Sequence, residues 1–396
     1  MILITVAALV VWVSTSIFKY STHKEKPIIS VLGLKDNDGY KGIMQCTLSA
    51  SNSYKIYHVS VLLDGKEFDF GSCPYVKSKS FNIPFSIDTT TLEYGKHTLE
   101  VRSVDSSYNQ NRSHDIYEFY VDNIPLKASF LQTKYTVDQG KTLHVKIQTN
   151  KKLNKTSLAF LSKTYECYPE SLTSNIYECF IPIDCEAQHG ESLLTAELED
   201  IVHNNVKLST QAEIAAFNFT KQKTYLNIST KKLDEEKDIS MNSKILQTAI
   251  EKWAESSSKQ KMWAGPFELP TQTQRIATPH GEIRVTPERG RYMHKGIDLV
   301  NHPRTVVWAS QTGKVIIKDR YLLTGNTVVL DHGLGVSTLY AHLNDFANIE
   351  VGDIVKKGNP VGRIGMTGYA TGYHLHWELL VNGVSVEPLE WTKKIF

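Results

Sequence analysis

The stretch GYHLHWELL, residues 372–380, places two histidines two residues apart in an apolar, aromatic run typical of a β-strand. Successive side chains on a strand point to opposite faces, so His374, His376 and Glu378 share one face. Two imidazoles on one face could chelate a metal or transfer a proton beside one. Histidine is also an ordinary polar residue on half-exposed strands, so the triplet alone leaves both interpretations open.

A second pair of candidate ligands lies upstream, in YMHKGIDLV. His294 and Asp298 are four residues apart, a spacing that returns both side chains to roughly one face of an extended or helical segment. Together with a strand histidine they would make three ligands. Zinc sites with three protein ligands and a fourth position for water are catalytic, whereas structural sites are closed by four ligands, mostly cysteine. All five cysteines precede residue 190, so we expect a catalytic site.

A third motif, LYAHLND, supplies His342. In order and spacing, the segments HKGID, DHGLGVSTLYAHL and VGDIVKKGNPVGRIGMTGYATGYHLHWELLVNGVSVEP resemble the lysostaphin-type, or LytM, family of zinc metallopeptidases. The resemblance covers roughly residues 266–390 and implies a compact antiparallel β domain.

The resemblance also implies roles for five residues. One zinc ion per chain would be held by His294, Asp298 and His376. His374 would be the general base, and His342 would help to hold the developing oxyanion. Zinc lowers the pKa of water and polarises the scissile carbonyl, and an imidazole can accept the proton that the water loses.

Four further residues are candidates for roles beside the five named above. Glu378 could orient a metal ligand by hydrogen bonding to it without touching the metal, or it could be a solvated strand residue. His280, in IATPHGEIR, stands where the family commonly has an aromatic residue, which leaves the shape of that cleft wall open, and a fourth-ligand or inhibitory role is an alternative. His332 is expected to serve a turn, and His302 to lie in a surface loop.

Length and composition define the rest of the organisation. A chain of 396 residues predicts two to four domains, and a net charge of +2 gives no long-range bias toward nucleic acid. Short alternating strands predict β-sandwiches at 27–125 and 126–220, which resemble the immunoglobulin-like modules of bacterial surface proteins but lack the Cys…Trp…Cys signature. Residues 221–262 read as a charged linker plus a helix, and 263–396 as the peptidase domain. The predicted fold is therefore mainly β.

Two local signals support that division. Asp64-Gly65, between alternating strands, predicts a hairpin. After a cap at Asn242 or Ser243, apolar residues at helical spacing predict an amphipathic helix that ends near Ser256 and packs against a neighbouring domain. The apolar positions are Ile245, Leu246, Ala249, Ile250 and Trp253.

The N-terminus indicates export. Residues 2–18 are mostly apolar, so 1–26 is expected to be a signal peptide or a transmembrane anchor, although the lysines that follow would favour the cytoplasm by the positive-inside rule. In an exported protein the five cysteines favour disulfides, most simply Cys46 with Cys73 and one pair among Cys167, Cys179 and Cys185.

These features predict an exported zinc endopeptidase of the cell envelope that cleaves cross-links or stem peptides of peptidoglycan. The membrane would be a partner only if the N-terminal segment is retained, and nucleic acid is not expected. One alternative is a catalytically silent wall-binding module that activates other hydrolases, as in family members that have lost ligands. Another is an adhesin whose sandwiches bind a surface partner.

Overall fold

The computed structural model describes residues 2–69, 78–222, 244–286 and 290–396. Nearly all of the predicted linker, the two candidate helix caps and Cys73 lie outside these residues. An N-terminal helix, α1, spans Ile2–Thr22. Among the helices described, none combines the length and apolar character needed to cross a membrane.

The chain divides into two compact units. The first comprises Met1–Lys127, Lys151–Lys155 and Leu198–Val206, and the second comprises Ala128–Asn150, Thr156–Glu197 and Lys207–Phe396. The second sandwich and the C-terminal β domain therefore fall largely within one unit. The boundaries of the five predicted segments remain predictions.

The first unit contains two β-sheets, ordered β1-β3-β6 and β2-β8-β7-β4-β5. Asp64 and Gly65 both have positive φ, 50° and 75°, between β4 and β5, which is the type I′ geometry of a tight hairpin and confirms that prediction. Alternate strand residues form a buried apolar core that includes Leu48, Val59 and Val101. The strands are β1 (Ile28–Leu32), β2 (Asp38–Tyr40), β3 (Ile43–Ser51), β4 (Ile56–Leu63), β5 (Lys66–Glu67), β6 (Ser80–Asp88), β7 (Gly95–Asp105) and β8 (Arg112–Val121).

The next region also forms two sheets, ordered β10-β17-β16-β12-β13 and β14-β15-β11-β9. Both regions thus have the paired sheets of a sandwich, while the immunoglobulin-like assignment remains a prediction. The strands are β9 (Ala128–Phe130), β10 (Lys134–Asp138), β11 (Thr142–Thr149), β12 (Leu153–Phe160), β13 (Lys163–Glu166), β14 (Tyr168–Pro169), β15 (Ile176–Pro182), β16 (Gly190–Asp200) and β17 (Asn205–Ala215).

The C-terminal domain is built on one ten-stranded antiparallel sheet, which confirms the predicted mainly β class. Its main path is β18-β21-β28-β25-β24-β23-β26. In addition β27 pairs with β22 and β25, β29 pairs with β28, and β19 and β20 form a separate two-stranded sheet. The strands are β18 (Arg275–Thr278), β19 (Ile283–Thr286), β20 (Gly290–Met293), β21 (Ile297–Val300), β22 (Val306–Trp308), β23 (Gly313–Tyr321), β24 (Gly325–Gly333), β25 (Val336–Phe346), β26 (Ile354–Val355), β27 (Pro360–Ile364), β28 (His374–Val381) and β29 (Val384–Val386).

The predicted amphipathic helix, α2, occupies residues 244–254. Leu246 and Ile250 are buried against Leu339, Ala341 and neighbouring apolar residues of the C-terminal sheet, whereas Ile245 is exposed. The prediction of a helix that packs on a neighbouring domain is confirmed, and the inclusion of Ile245 in its buried stripe is wrong because that side chain points to solvent.

An aromatic cluster joins the second sandwich to the C-terminal sheet within their common unit. Phe180 of β15 packs with Trp263, Trp391 and Phe396, and Trp391 lies in the short helix α3 (Pro388–Trp391). The indole Nε1 of Trp391 donates to Thr142 Oγ1 at 3.0 Å. Buried aromatic contact of this extent makes the two parts one packed body rather than two loosely tethered domains.

The cysteines differ from the sequence-based expectation. Cys46, Cys167, Cys179 and Cys185 are all free thiols. Cys46 is part of the apolar core of the first unit, where it packs as a small hydrophobic residue. The predicted disulfide among Cys167, Cys179 and Cys185 is therefore absent, and the predicted Cys46–Cys73 pair lies outside the described residues because Cys73 does.

Candidate metal centre

Strands β21 and β28 position the first two candidate ligands. They are antiparallel neighbours, and Asp298 lies directly opposite His376. The intervening Leu375 and Trp377 point into the apolar core on the other face of the sheet. The predicted separation of the two faces of β28 is thus confirmed, and it follows from the alternation of side chains along a strand.

A loop at residues 279–282 places the third candidate ligand. The backbone N–H of Gly281 donates to the carbonyl of His294 at 2.8 Å, and the N–H of His294 donates to the carbonyl of Glu282 at 3.0 Å. His294 Nδ1 lies 3.2 Å from the carbonyl oxygen of Pro279. Because a carbonyl can only accept, Nδ1 carries the proton, and Nε2 keeps its lone pair for a metal.

Gly296 permits this close packing. A Cβ atom at this position would lie 2.4 Å from the carbonyl oxygen of Trp377 and 3.0 Å from Cε1 of His376. Only glycine therefore lets the HKGID segment approach β28 closely enough to bring its histidine and aspartate beside His376.

The three donor atoms converge. His294 Nε2 lies 3.0 Å from His376 Nδ1 and 3.1 Å from Asp298 Oδ1, and His376 Nδ1 lies 3.0 Å from the same oxygen. In a tetrahedral site with zinc–ligand bonds of about 2.0–2.2 Å, ligand atoms are about 3.3–3.6 Å apart. The observed spacing is only a few tenths of an ångström shorter, so these residues fit a zinc ion and could hold one. Within the described residues, this is the one group of three such side chains that could hold a metal.

Glu378 completes the environment of His376. Its Oε1 accepts from His376 Nε2 at 2.9 Å, and its Oε2 accepts from the hydroxyl of Ser385 at 2.6 Å. This places the proton of His376 on Nε2 and turns Nδ1 toward the other ligands. A carboxylate that binds the outer nitrogen of a ligating histidine is a common feature of zinc sites. Ser385, on β29, was not predicted, because nothing in the sequence indicates that its strand pairs with β28 at this point.

The charges of the buried cluster balance one another. Burial lowers the pKa of His376, but hydrogen bonds to Asp298 and Glu378 outweigh burial and raise it to about 10. Without a metal, Nδ1 of this ring therefore also carries a proton, which it donates to Asp298 and which a metal ion would displace. Burial raises the pKa of Glu378, but the hydrogen bond to His376 and the charge of that ring, with Lys295 and Ser385, together outweigh burial and lower it to about 2. Burial also raises the pKa of Asp298, and its contacts with His294 and His376 reverse this effect and hold the pKa well below its usual range. Both carboxylates are thus ionised and available to neutralise a cation.

His374 lies beside the three donor atoms. Its Nδ1 donates to the carbonyl of Gly372 at 2.8 Å, and its Nε2 is 3.7 Å from Asp298 Oδ1. Burial lowers its pKa, so the ring is neutral and Nε2 can accept a proton.

The side chain of His342 lies beside that of His374 because strand β25 is irregular at this residue. Tyr340 and Leu343 point into the core, while Ala341 faces the opposite side, so strict alternation would send His342 toward the core. Instead His342 has a φ of +58° at a register shift between β24 and β25, and its ring centroid lies 4.8 Å from that of His374. A bulge has turned the side chain into the site. Its Nδ1 donates to the carbonyl of Thr367 at 2.8 Å, and burial lowers its pKa to about 3.

The other histidines singled out in the sequence lie apart from the three donor atoms. His332 is fully buried and bonds through its two ring nitrogens to the Thr312 carbonyl and the Thr338 hydroxyl. His302 makes a bond to Gln274 in an exposed loop. His280 is buried and bonds to the Lys295 carbonyl and to Cys185.

The antiparallel sheet, with its three-donor cluster and two flanking histidines, forms a β domain whose side chains could hold a metal ion. Residues 292–388 match peptidase family M23. The C-terminal part of this chain is therefore a peptidase family M23 domain of the LytM type.

Several known proteins are similar to this same C-terminal part of the chain. The DD-carboxypeptidase/endopeptidase Mpg of Neisseria meningitidis serogroup B is 40% identical over 116 residues, covering 29% of this chain and 26% of Mpg. The peptidoglycan DD-endopeptidase ShyC of Vibrio cholerae is 34% identical over 120 residues, covering 30% of this chain and 28% of ShyC. Lysostaphin from Staphylococcus simulans, a solved structure, is 28% identical with a TM-score of 0.27, over 32% of this chain and 54% of lysostaphin. The matched region spans about a quarter of the length of these curated relatives.

Proposed function

We propose that this protein is a zinc endopeptidase that hydrolyses peptide bonds in the cross-links or stem peptides of bacterial peptidoglycan. The observation that carries the proposal is the convergence of His294 Nε2, Asp298 Oδ1 and His376 Nδ1 within 3.1 Å of one another, beside two neutral histidines. The substrate class rests on the relatives, which are named as peptidoglycan DD-endopeptidases and a DD-carboxypeptidase/endopeptidase.

In this proposal His294, Asp298 and His376 hold one zinc ion per chain. A bound zinc ion would polarise the scissile carbonyl and make water acidic enough to be deprotonated near neutral pH. Glu378 keeps the Nε2 proton of His376 in place and so presents Nδ1 to the metal. Three protein ligands leave a position for water or substrate, as in catalytic zinc sites.

His374 is the proposed general base. Its Nδ1 proton is held by the Gly372 carbonyl, so its Nε2, on the side of Asp298, is free to take a proton from the attacking water and return it to the leaving amine. His342 has the same tautomer, with Nδ1 held by Thr367. It can therefore orient the water by accepting a hydrogen bond, and it can stabilise an oxyanion only after it has gained a proton.

The location proposed is the cell envelope. The relative ShyC is named as a peptidoglycan DD-endopeptidase, and residues 1–26 would serve as the export or tethering segment. Exposed apolar side chains of α1, including Leu9, Trp12 and Phe18, are consistent with such a segment.

The test is release of muropeptides from isolated sacculi by the full chain, followed by mass spectrometry. We expect the wild type to generate new peptide termini, to lose activity with a chelator and to regain it with zinc. His374→Ala should keep its zinc and lose cleavage, because this residue is proposed as base and not as ligand. His302→Ala, which removes an exposed histidine, is the matched control and should cleave like the wild type. Bound zinc without cleavage by the wild type would contradict the proposal and favour a silent wall-binding module.

A further inference from the structure

A cysteine of the second sandwich contacts a histidine of the C-terminal domain behind the metal centre. Cys185, just beyond β15, has its Sγ 3.2 Å from Nε2 of His280. Nδ1 of the same ring lies 2.9 Å from the carbonyl oxygen of Lys295, the residue after His294. His280 is only 5% exposed, so it is a buried link between its two neighbours and not a cleft-lining side chain.

The protons of this link can be assigned. The Lys295 carbonyl can only accept, so Nδ1 of His280 donates to it, and Nε2 must accept from the thiol of Cys185. Burial lowers the pKa of His280 to about 4 and raises that of Cys185 to about 12, so both groups are neutral and the thiol keeps its proton. A thiol with a raised pKa is a poor nucleophile, which indicates a structural contact and not a reactive cysteine.

Two further contacts enclose the pair. A Cβ atom at Gly140 would lie 3.1 Å from Cys185 Sγ and 3.4 Å from His280 Nε2, so the turn between β10 and β11 closes over both. A Cβ atom at Gly281 would lie 2.2 Å from the ring of Phe219, so this ring packs directly on the loop that follows His280. Side chains and backbone of the second sandwich therefore cover the outer surface of loop 279–282.

Loop 279–282 also positions His294, one of the three proposed metal ligands. Pro279 accepts from Nδ1 of His294, Gly281 donates to the His294 carbonyl, and Glu282 accepts from its N–H. We propose that Cys185 and His280 form a positioning pair, through which the second sandwich fixes loop 279–282 and thereby the orientation of His294 toward the metal. This inference rests on the proposed function, because it assigns the pair a purpose only if His294 is a ligand. It also explains why a histidine stands where the family commonly has an aromatic residue: an aromatic hydrocarbon ring could not bond to both neighbours.

The test measures the dissociation constant of zinc for the full chain by competition with a fluorescent chelator. Loss of an outer partner of a ligand typically weakens metal binding by about 10- to 100-fold, and Cys185 acts through additional contacts, so we expect Cys185→Ala to weaken it by about 5- to 10-fold. Cys185→Ser retains a donor for His280 and should stay within about twofold of the wild type. The control is Cys167→Ala, which removes another buried thiol of the same sandwich that neighbours Cys179 and not His280.

A double-mutant cycle separates positioning from general loss of stability. His280→Phe restores the aromatic ring expected in the family and should weaken zinc binding to a similar extent, and adding Cys185→Ala should have little further effect, because both changes break one link. Circular dichroism of each variant confirms that it is folded. Equal zinc affinity in wild type and Cys185→Ala, or full additivity in the cycle, would overturn the inference. Absence of zinc binding by the wild type would instead overturn the proposed function.

Discussion

Replacing Glu378 by alanine is expected to weaken zinc binding without removing a ligand. The carboxylate is only 7% exposed, accepts from His376 Nε2 at 2.9 Å, and is itself held by the Ser385 hydroxyl at 2.6 Å. Alanine would leave the Nε2 proton of His376 without its acceptor in a buried place. The ring would then be free to rotate and to exchange tautomers, and Nδ1 would no longer be fixed toward the metal.

Two arguments give a similar magnitude. A hydrogen bond to a charged group contributes about 1.5–3 kcal/mol. If that energy is lost only from the zinc-bound state, the dissociation constant rises by about 10- to 150-fold, since each 1.4 kcal/mol is tenfold. Measured losses for outer partners of zinc ligands are about 10- to 100-fold. We therefore expect a 10- to 100-fold weaker affinity for Glu378→Ala. Glu378→Gln, which keeps an acceptor oxygen but no charge, should lose less, about 3- to 10-fold.

The assay is zinc competition with a chelating fluorophore, followed by cleavage of sacculi at saturating zinc. Because the proposed base and ligands remain, cleavage by Glu378→Ala should recover to within a few-fold of the wild type once zinc is saturating. Glu350→Ala removes an exposed carboxylate paired with Lys318 and serves as the control. Zinc affinity of Glu378→Ala within twofold of the wild type would refute the reasoning.

Three further predictions concern neighbouring parts of the molecule. His342→Ala should lower the cleavage rate about 100-fold or more and leave zinc affinity unchanged, as measured by muropeptide release and chelator competition. Glu178 is buried and bonds to His144 and Lys261. Burial raises the pKa of its carboxyl group, but these two partners outweigh burial and lower it. The ionised carboxylate therefore stabilises the fold above the unfolded pKa of about 4.3, and this stabilisation is lost as the pH falls through the lower pKa of the folded state. Glu178→Gln should thus cost about 3 kcal/mol of unfolding free energy at pH 7 and progressively less below about pH 4, measured by urea denaturation. Trp391→Ala should lower the free energy of unfolding by about 3–5 kcal/mol in the same assay, because it leaves a cavity in the aromatic cluster between the second sandwich and the C-terminal sheet.

The parts of the site that depend on local alternation could be predicted from the sequence. The shared face of His374, His376 and Glu378 follows from the two-residue period of a strand, and the structure has it. The helix at 244–254 follows likewise from the spacing of Leu246 and Ile250. The ligand set itself came from the resemblance of three spaced motifs, since the spacing of the histidine triplet alone did not distinguish a metal site from an ordinary strand.

Features that depend on distant contacts could not be predicted. The side chain of His342 points into the site only because a bulge reverses the direction that alternation would give it. Ser385 meets Glu378 through strand pairing, and Cys185 meets His280 across 95 positions of sequence. The prediction of a disulfide among Cys167, Cys179 and Cys185 was wrong, because a buried free thiol such as Cys167 and a cross-linked cysteine cannot be told apart in the sequence.

The most direct test of the proposed zinc peptidase combines elemental analysis of the purified full chain with muropeptide release from sacculi. Wild type and His302→Ala should each contain one zinc per chain and release cleaved peptides. His376→Ala should lose both, because it removes the ligand that lies opposite Asp298 in the sheet. A wild-type chain without zinc, or a His376→Ala chain that still binds zinc and cleaves, would contradict the assignment of this cluster as the catalytic metal centre.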